Sequence, residues 1–175
     1  DGTILNQYSM SEDEGALRVA TTSAPASSRG CTRCAGTESF VRVLQETNGE
    51  LQQVGQVGNL GRGEQIKAVR FVGKQGYVVT FRQTDPLYTL DLANPAEPKV
   101  AGELKLLGYS AYLHPAGDGL VIGVGQDATA QGRSLGTKVS LFDVHDLANP
   151  RELQHYVLWN STSAVEQDFH AFLWW

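Results

Sequence analysis

The sequence predicts an all-β fold built from a repeated sheet of four short antiparallel strands. Short apolar runs alternate with turns, and the 175-residue chain contains 19 Gly and 6 Pro, which favour tight turns. No apolar stripe of helical period lasts three turns, which disfavours a helical fold. The same order of strands and turns also recurs along the chain, and such recurrence decides the architecture.

The clearest repeat relates residues 66–107 to residues 109–158. Ala68 aligns with Ala111, and the alignment continues without a gap into a glycine turn and an apolar strand. A third strand, a turn closed by proline and a fourth strand follow in both copies. The four strands are predicted at 66–72, 76–81, 87–91 and 99–106 in one copy, and at 109–115, 119–124, 139–143 and 151–158 in the other.

A more diverged copy precedes these two, at about residues 4–60, and contains an insertion at 22–38. Its Asn48-Gly49 pair is a strong signal for a two-residue hairpin. Its four strands are predicted at 4–8, 17–21, 40–44 and 51–55. At the other end of the chain, Ala171 aligns with Ala68 and Ala111, so residues from about 169 predict the first strand of a further unit.

Four-stranded units of about 40 to 50 residues are typical of the blades of a β-propeller. Three blades and one strand do not close a ring, because propellers typically have about four to eight blades. We therefore expect a fragment of a longer protein, and the apolar C-terminal residues agree with this. Either further blades of the longer chain or another copy is expected to cover the open edges.

Three central stretches resemble a known family: GYVVTFRQTDPLYTLDL, GYSAYLHPAGDGLVIGVGQD and VSLFDVHDLANP. They are similar to secreted actinobacterial and archaeal proteins that carry a C-terminal β-propeller distantly related to WD40 repeats. LNQYSM, LRVATTS and DFHAFLWW are similar to the same family, so the likeness covers most of the chain except residues 23–37. The resemblance implies an exported or surface-attached propeller. It implies no activity and no catalytic residues.

The composition excludes some partners. The 14 Lys and Arg against 19 Asp and Glu give a net charge of -5, without the basic cluster that a nucleic-acid-binding protein needs. No run of about 18 apolar residues occurs, so no transmembrane segment is predicted. The four histidines lack the spacing of metal ligands, and neither a metal nor another cofactor is predicted.

The turns of a four-stranded blade alternate between two faces of the propeller. The loop between the second and third strands therefore shares a face with the links between blades. We call this the long-loop face, because it carries the longest predicted loops: 22–38, 60–65, 82–86, 125–138 and 160–168. Loops on a rigid scaffold often carry function, so a protein or glycan is expected to bind here. The candidate binding residues are Arg82, Gln83, Asp85, Gln126, Asp127, Asp168 and His170.

Three alternatives to a binding role stay open. Asp85, Asp127 and Asp168 permit a glycan-active hydrolase, provided two carboxylates lie roughly 5 to 9.5 Å apart. The domain also fits a purely structural stalk, and the polar candidates fit residues that only satisfy loop backbone groups. No complete catalytic constellation is apparent, which favours a non-catalytic binding module.

The two cysteines form a single C-x-x-C motif, Cys31 and Cys34, inside the predicted insertion. A second pair that would complete a zinc site is absent from the sequence. A redox pair would be expected to begin a helix after a strand. In an exported protein, a local disulfide between Cys31 and Cys34 is the expected state.

Overall fold

A computed structural model describes residues 2–23, 36–81 and 85–175, with the backbone but not the side chain of Asp85. It contains three four-stranded antiparallel sheets, each with its strands in sequence order. The predicted all-β fold of propeller blades is thereby confirmed. Cys31, Cys34, Arg82 and Gln83 lie outside the described residues.

Blade 1 consists of β1 (Met10–Asp13), β2 (Ala16–Ser23), β3 (Glu38–Thr47) and β4 (Glu50–Leu60). The β3–β4 hairpin turns at Asn48 and Gly49, whose φ angles of 55° and 85° suit this pair of residues. The strand predicted at 4–8 was wrong. Residues Gln7–Ser9 form a 3₁₀ turn instead, because the Asn6 side chain accepts the Tyr8 N–H at 3.0 Å.

Blade 2 consists of β5 (Gln65–Val72), β6 (Gln75–Phe81), β7 (Asp85–Asp91) and β8 (Lys99–Leu106). Blade 3 consists of β9 (Tyr109–Gly117), β10 (Leu120–Ala128), β11 (Ser134–Asp143) and β12 (Arg151–Trp159). The loop predicted at 125–138 was largely wrong, because β10 and β11 extend into it. A β-bulge between Asp127 and Ala128 leaves only residues 129–133 as the connecting turn.

The blades stack face to face, with an apolar layer between each pair of neighbours and a third, smaller cluster around Tyr112, Val124 and Val165. Between blades 1 and 2 the core includes Val41, Leu60, Val78 and Leu90. Between blades 2 and 3 it includes Val79, Leu87, Leu113 and Phe142. Blade 2 is therefore covered on both faces, which explains why its strand β6 is an almost continuous apolar run.

The proline-containing turn of each later blade packs on the outermost strand of the blade before it. A methyl group on Gly55 of β4 would collide with the Pro95 carbonyl oxygen, and one on Gly102 of β8 with that of Leu147. Thr89 donates a hydrogen bond to the same Leu147 carbonyl at 2.5 Å. These two glycines thus provide the space in which the next blade docks.

The strand predicted from residue 169 was also wrong. Phe169–Ala171 is a 3₁₀ turn, because Asp168 accepts the His170 N–H at 3.0 Å and caps it. Ala171 is exposed and does not occupy the position of Ala68 or Ala111, which lie in β5 and β9. The segment still packs on β9, where the rings of Phe172 and Tyr112 are 5.0 Å apart.

The far face of blade 3 is covered only in part, where Val165, Phe169 and Phe172 pack on it. It forms a shallow groove of about 500 Å³ lined mainly by apolar side chains, among them Leu120, Ile122, Val139, Leu141, Tyr156 and Trp174. Within the described part of the chain, no helix has the length and apolar character needed to cross a bilayer.

Candidate functional site

A cleft of about 190 Å³ lies between the first strands of blades 2 and 3. We call it the inner-strand cleft. Strands β5 and β9 leave this space because each places an alanine, Ala68 or Ala111, in its wall. The full lining is Leu5, Asn6, Tyr8, Lys67, Ala68, Val69, Ala111, Tyr112, Leu113, Val165, Glu166, Gln167 and Phe169.

Aromatic rings form one side of the cleft. The Tyr8 ring meets those of Tyr112 and Phe169 edge-on, with centroid distances of 5.8 and 5.1 Å. The Arg70 guanidinium lies 3.7 Å from the centre of the Tyr8 ring, and its Nε donates to the Leu113 carbonyl at 2.9 Å. Burial raises the pKa of Tyr112, so its hydroxyl is neutral at physiological pH. The ring contacts and the Arg70 side chain together hold this aromatic wall in place.

His114 extends this aromatic wall beyond the cleft. Its ring lies 4.8 Å from that of Phe172 and 5.5 Å from that of Trp174. Burial, followed by the nearby positive charge of Arg70, lowers the pKa of His114. The neutral imidazole therefore packs as an aromatic ring at neutral pH.

The polar rim of the cleft is organised around Glu166. Its Oε1 accepts hydrogen bonds from Gln126 Nε2 at 2.6 Å and from the Ser163 N–H at 3.2 Å, and its Oε2 accepts one from the Tyr109 hydroxyl at 2.9 Å. Gln126 is 7% exposed and also accepts a hydrogen bond from Ser134. The Ser163 bond belongs to a capping box on the turn Ala164–Glu166, which fixes the glutamate.

Lys67 is the cation of the cleft. Its Nζ lies 5.7 Å from the centre of the Tyr109 ring, a cation–π distance. It forms no ion pair with a carboxylate of the described residues. Its positive charge therefore remains available to a ligand.

The predicted site residues separate into groups. Gln126 joins the rim network, and Asp127 lies next to it at the β10 bulge. Asp168 and His170 form a pair outside the cleft lining, with 2.9 Å between Oδ1 and Nδ1, and both side chains are exposed. The structure describes neither Arg82, Gln83 nor the side chain of Asp85.

Other polar residues at the cleft were not predicted from the sequence, among them Lys67, Tyr109 and Glu166. Two signals pointed to them. Lys67 adjoins Ala68, one of the repeated alanines, in the first predicted strand of its unit. Ser163-x-x-Glu166 has the spacing of a capping box, which orients a glutamate at the start of a turn.

The arrangement can bind a small polar group, with a cation and amides at the rim and aromatic rings beneath. Among residues 2–23, 36–81 and 85–175, no group of three or more His, Cys, Asp or Glu side chains is placed to hold a metal ion. Asp168 accepts backbone and side-chain hydrogen bonds from His170, and these lower its pKa. A general acid of a glycosidase needs a raised pKa, so Asp168 is poorly suited to that role.

Sheets of four antiparallel strands that stack blade on blade define a β-propeller protein. The family model described as Beta propeller domain matches residues 1–175, and the chain belongs to this family. An uncharacterised protein of Methanocaldococcus jannaschii is 43% identical over 173 residues, which are 99% of this chain and 26% of that protein. An uncharacterised protein of Archaeoglobus fulgidus is 43% identical over 172 residues, 98% of this chain and 25% of that protein. The chain thus spans about a quarter of the length of these curated relatives.

Proposed function

We propose that the chain is a non-catalytic binding module that recognises a protein at the long-loop face. The inner-strand cleft takes one side chain of that partner. The observation that carries the proposal is the cleft itself, with its aromatic wall and its fixed polar rim. Its rim lies where β5 and β9 begin, which is the end of the blades that carries the links between them.

The size of the cleft supports recognition of a single side chain. Pockets that bury a whole small-molecule ligand usually measure about 300–1,000 Å³. A cleft of about 190 Å³ is smaller and suits one anchoring group of a larger partner. The Arg70 guanidinium, 3.7 Å from the centre of the Tyr8 ring, also covers one face of that ring and keeps it from stacking on a sugar, which favours a protein over a glycan.

The cleft-filling variant Ala111→Leu in the full-length protein tests this function. We expect it to reduce the amount of cross-linked partner protein recovered from the native host by about tenfold, a loss of roughly 1.4 kcal/mol. Ala101→Leu in the outer strand β8 is the matched control and should retain capture. Unchanged thermal unfolding shows that both variants are folded.

If Ala111→Leu recovers as much cross-linked partner as the natural protein, the partner does not bind in the cleft. A glycan array provides the second arm. Glycan binding that is lost in Ala111→Leu and kept in Ala101→Leu would replace the protein partner by a glycan.

We also propose that the protein works outside the cytoplasm, an assignment supported by the resemblance to exported propellers. The expected disulfide of Cys31 and Cys34 supplies a test, since thiols persist in a reducing cytoplasm. Mass spectrometry should find both cysteines unreactive to alkylation until a reductant is added. Recovery of the native protein in the cytoplasmic fraction with two free thiols would contradict the assignment.

A further inference from the structure

We infer that the inner-strand cleft binds a carboxylate group through Lys67. This inference rests on the proposed function and names the chemistry of the group that enters the cleft. It follows from three features of the site: the environment of the lysine, the state of the neighbouring glutamate, and the size of the space.

The ammonium group of Lys67 lacks a charged partner among the described residues. It is half-buried, and its contact is with the face of the Tyr109 ring at 5.7 Å. An ammonium has three N–H donors, whereas a ring face accepts only a weak electrostatic contact. Removing a cation from water without a counter-ion is unfavourable. An acceptor that bears a negative charge is the complement of this group, because charge-assisted hydrogen bonds are the strong ones.

Both oxygens of Glu166, the carboxylate in the lining, already accept hydrogen bonds. Gln126, Tyr109 and the Ser163 N–H donate to its two oxygens. These donors hold it in the rim and disperse its charge, so it does not act as the ion-pair partner of Lys67. Its charge nevertheless restricts the ligand, because a dianion such as phosphate meets more repulsion from Glu166 than a monoanion does.

The space fits a small carboxylate. The cleft measures about 190 Å³, and the small side chains of Ala68 and Ala111 keep it open beside Lys67. The amides of Asn6 and Gln167 belong to the same lining and supply further N–H donors for a carboxylate. An aspartate or glutamate side chain of a partner brings both the charge and a short aliphatic stem to lie on the aromatic wall.

Titration of the isotope-labelled protein with N-acetyl-glutamate N-methylamide tests the inference by NMR. The resonances of Lys67 and Tyr109 should shift, and the neutral glutamine analogue should bind at least tenfold more weakly. Lys67→Met keeps the aliphatic stem and should abolish the shift at Tyr109. Lys105→Met removes a lysine that is exposed in β8, and should leave binding unchanged.

Acetate and inorganic phosphate complete the experiment. A tenfold preference for the blocked glutamate over acetate identifies an acidic side chain as the source of the carboxylate, and equal affinity identifies a free acid. Equal binding of the glutamate and glutamine analogues, tighter binding of phosphate, or an unchanged affinity in Lys67→Met would overturn the inference. The glutamate–glutamine comparison uses only the natural chain, so it does not depend on the folding of a variant.

The two proposals can fail separately. If Ala111→Leu removes partner capture and Lys67→Met does not, the carboxylate inference fails and the proposed function stands. If the blocked glutamate binds at Lys67 while partner capture survives cleft filling, the carboxylate site stands and the proposed function fails.

Discussion

At the scale of single residues, Arg18 shows how a buried charge couples two blades. It is 3% exposed and donates from β2 to the Gly73 carbonyl in the β5–β6 turn and to Ser11 at 2.9 Å. Asp13 lies 3.7 Å away, and the guanidinium lies over the Phe71 ring. Burial lowers the pKa of Arg18, which Asp13 partly opposes. Arginine suits this position because its several donors reach partners in both blades.

Asp143 gives a residue-scale prediction about pH. Hydrogen bonds from the His145 side chain and backbone, followed by that from Arg151, lower the pKa of Asp143 to about 2. Because the folded pKa lies below the ordinary value of 3.8, the contribution of Asp143 to stability is present above about pH 4. It is lost as the pH falls towards 2. An NMR titration of the Asp143 carboxyl should therefore have its midpoint near pH 2.

The variant His145→Ala provides the control for this titration. It removes the side-chain hydrogen bond that lowers the pKa of Asp143 most. That pKa should therefore rise towards 3.8, while the Arg151 contact at 2.7 Å remains. A midpoint near 3.8 in the natural protein, or one that the variant does not move, would contradict the assigned cause.

At the scale of elements, the packing of a proline turn on a glycine recurs between blades 1 and 2 and between blades 2 and 3. Gly102 of β8 pairs with Thr89 beside a β-bulge, and Gln154 of β12 pairs with Leu141 beside the corresponding bulge. Position 154 is therefore the counterpart of position 102 in blade 3. Blade 3 thus has an exposed glutamine where blades 1 and 2 have the glycine on which the next turn packs.

The variant Gly102→Ala tests the role of this contact. Its methyl group would collide with the Leu147 carbonyl and lie 2.8 Å from Pro150 Cδ, so the two blades must separate. We expect a loss of about 2–3 kcal/mol in the free energy of unfolding, measured by urea denaturation. Gln154→Ala, at the counterpart in the exposed strand β12, should change stability by less than about 0.5 kcal/mol. Equal stability of the two variants would exclude a tight inter-blade contact at Gly102.

At the scale of the whole molecule, the three blades leave a large apolar surface on blade 3. Tyr156 is 68% exposed, Trp159 65% and Trp174 54%, beside a groove of about 500 Å³. Uncovered apolar surface of this kind drives association, and an uncovered outer strand adds unpaired backbone groups.

We therefore predict that the isolated 175-residue chain self-associates and that Tyr156→Ser reduces this association. Sedimentation velocity at about 100 µM should show dimers or larger species for the natural chain and mainly monomer for the variant, since Tyr156 lines the groove. Leu51→Ser removes a residue that is 59% exposed in blade 1 and serves as the control. Association that responds equally to both substitutions would not involve this face.

The strands of blades 2 and 3 could be predicted because their signals are local. Apolar runs bounded by glycine and proline turns place Lys99–Leu106 without error and locate the other strands, although β10 ends and β11 begins well inside the predicted loop. The strands predicted at 4–8 and from 169 failed for a different reason. Asn6 and Asp168 offer the backbone a local hydrogen-bond partner that competes with a sheet, and apolar residues such as Ile4, Leu5 and Leu173 stay exposed.

The candidate site was predictable in part. Gln126 was selected from its position in the repeat and does join the rim network, whereas Lys67 and Glu166 were missed. Residues 67, 126 and 166 belong to three separate segments, and a contact between distant segments leaves no periodic signal in a single sequence. Because residues 125–138 were predicted to be a loop, the position of Gln126 within strand β10 was not foreseen.

The sequence by itself determined the all-β fold and its four-stranded units, because strand periodicity and turn chemistry act over a few residues. Only the tertiary structure decided where a cleft forms, since Ala68 and Ala111 make space only when β5 and β9 lie side by side. The tertiary structure also decided that Glu166 accepts hydrogen bonds while Lys67 has no carboxylate partner among the described residues. The donors to Glu166 come from β9, β10 and its own turn, which are distant in the sequence.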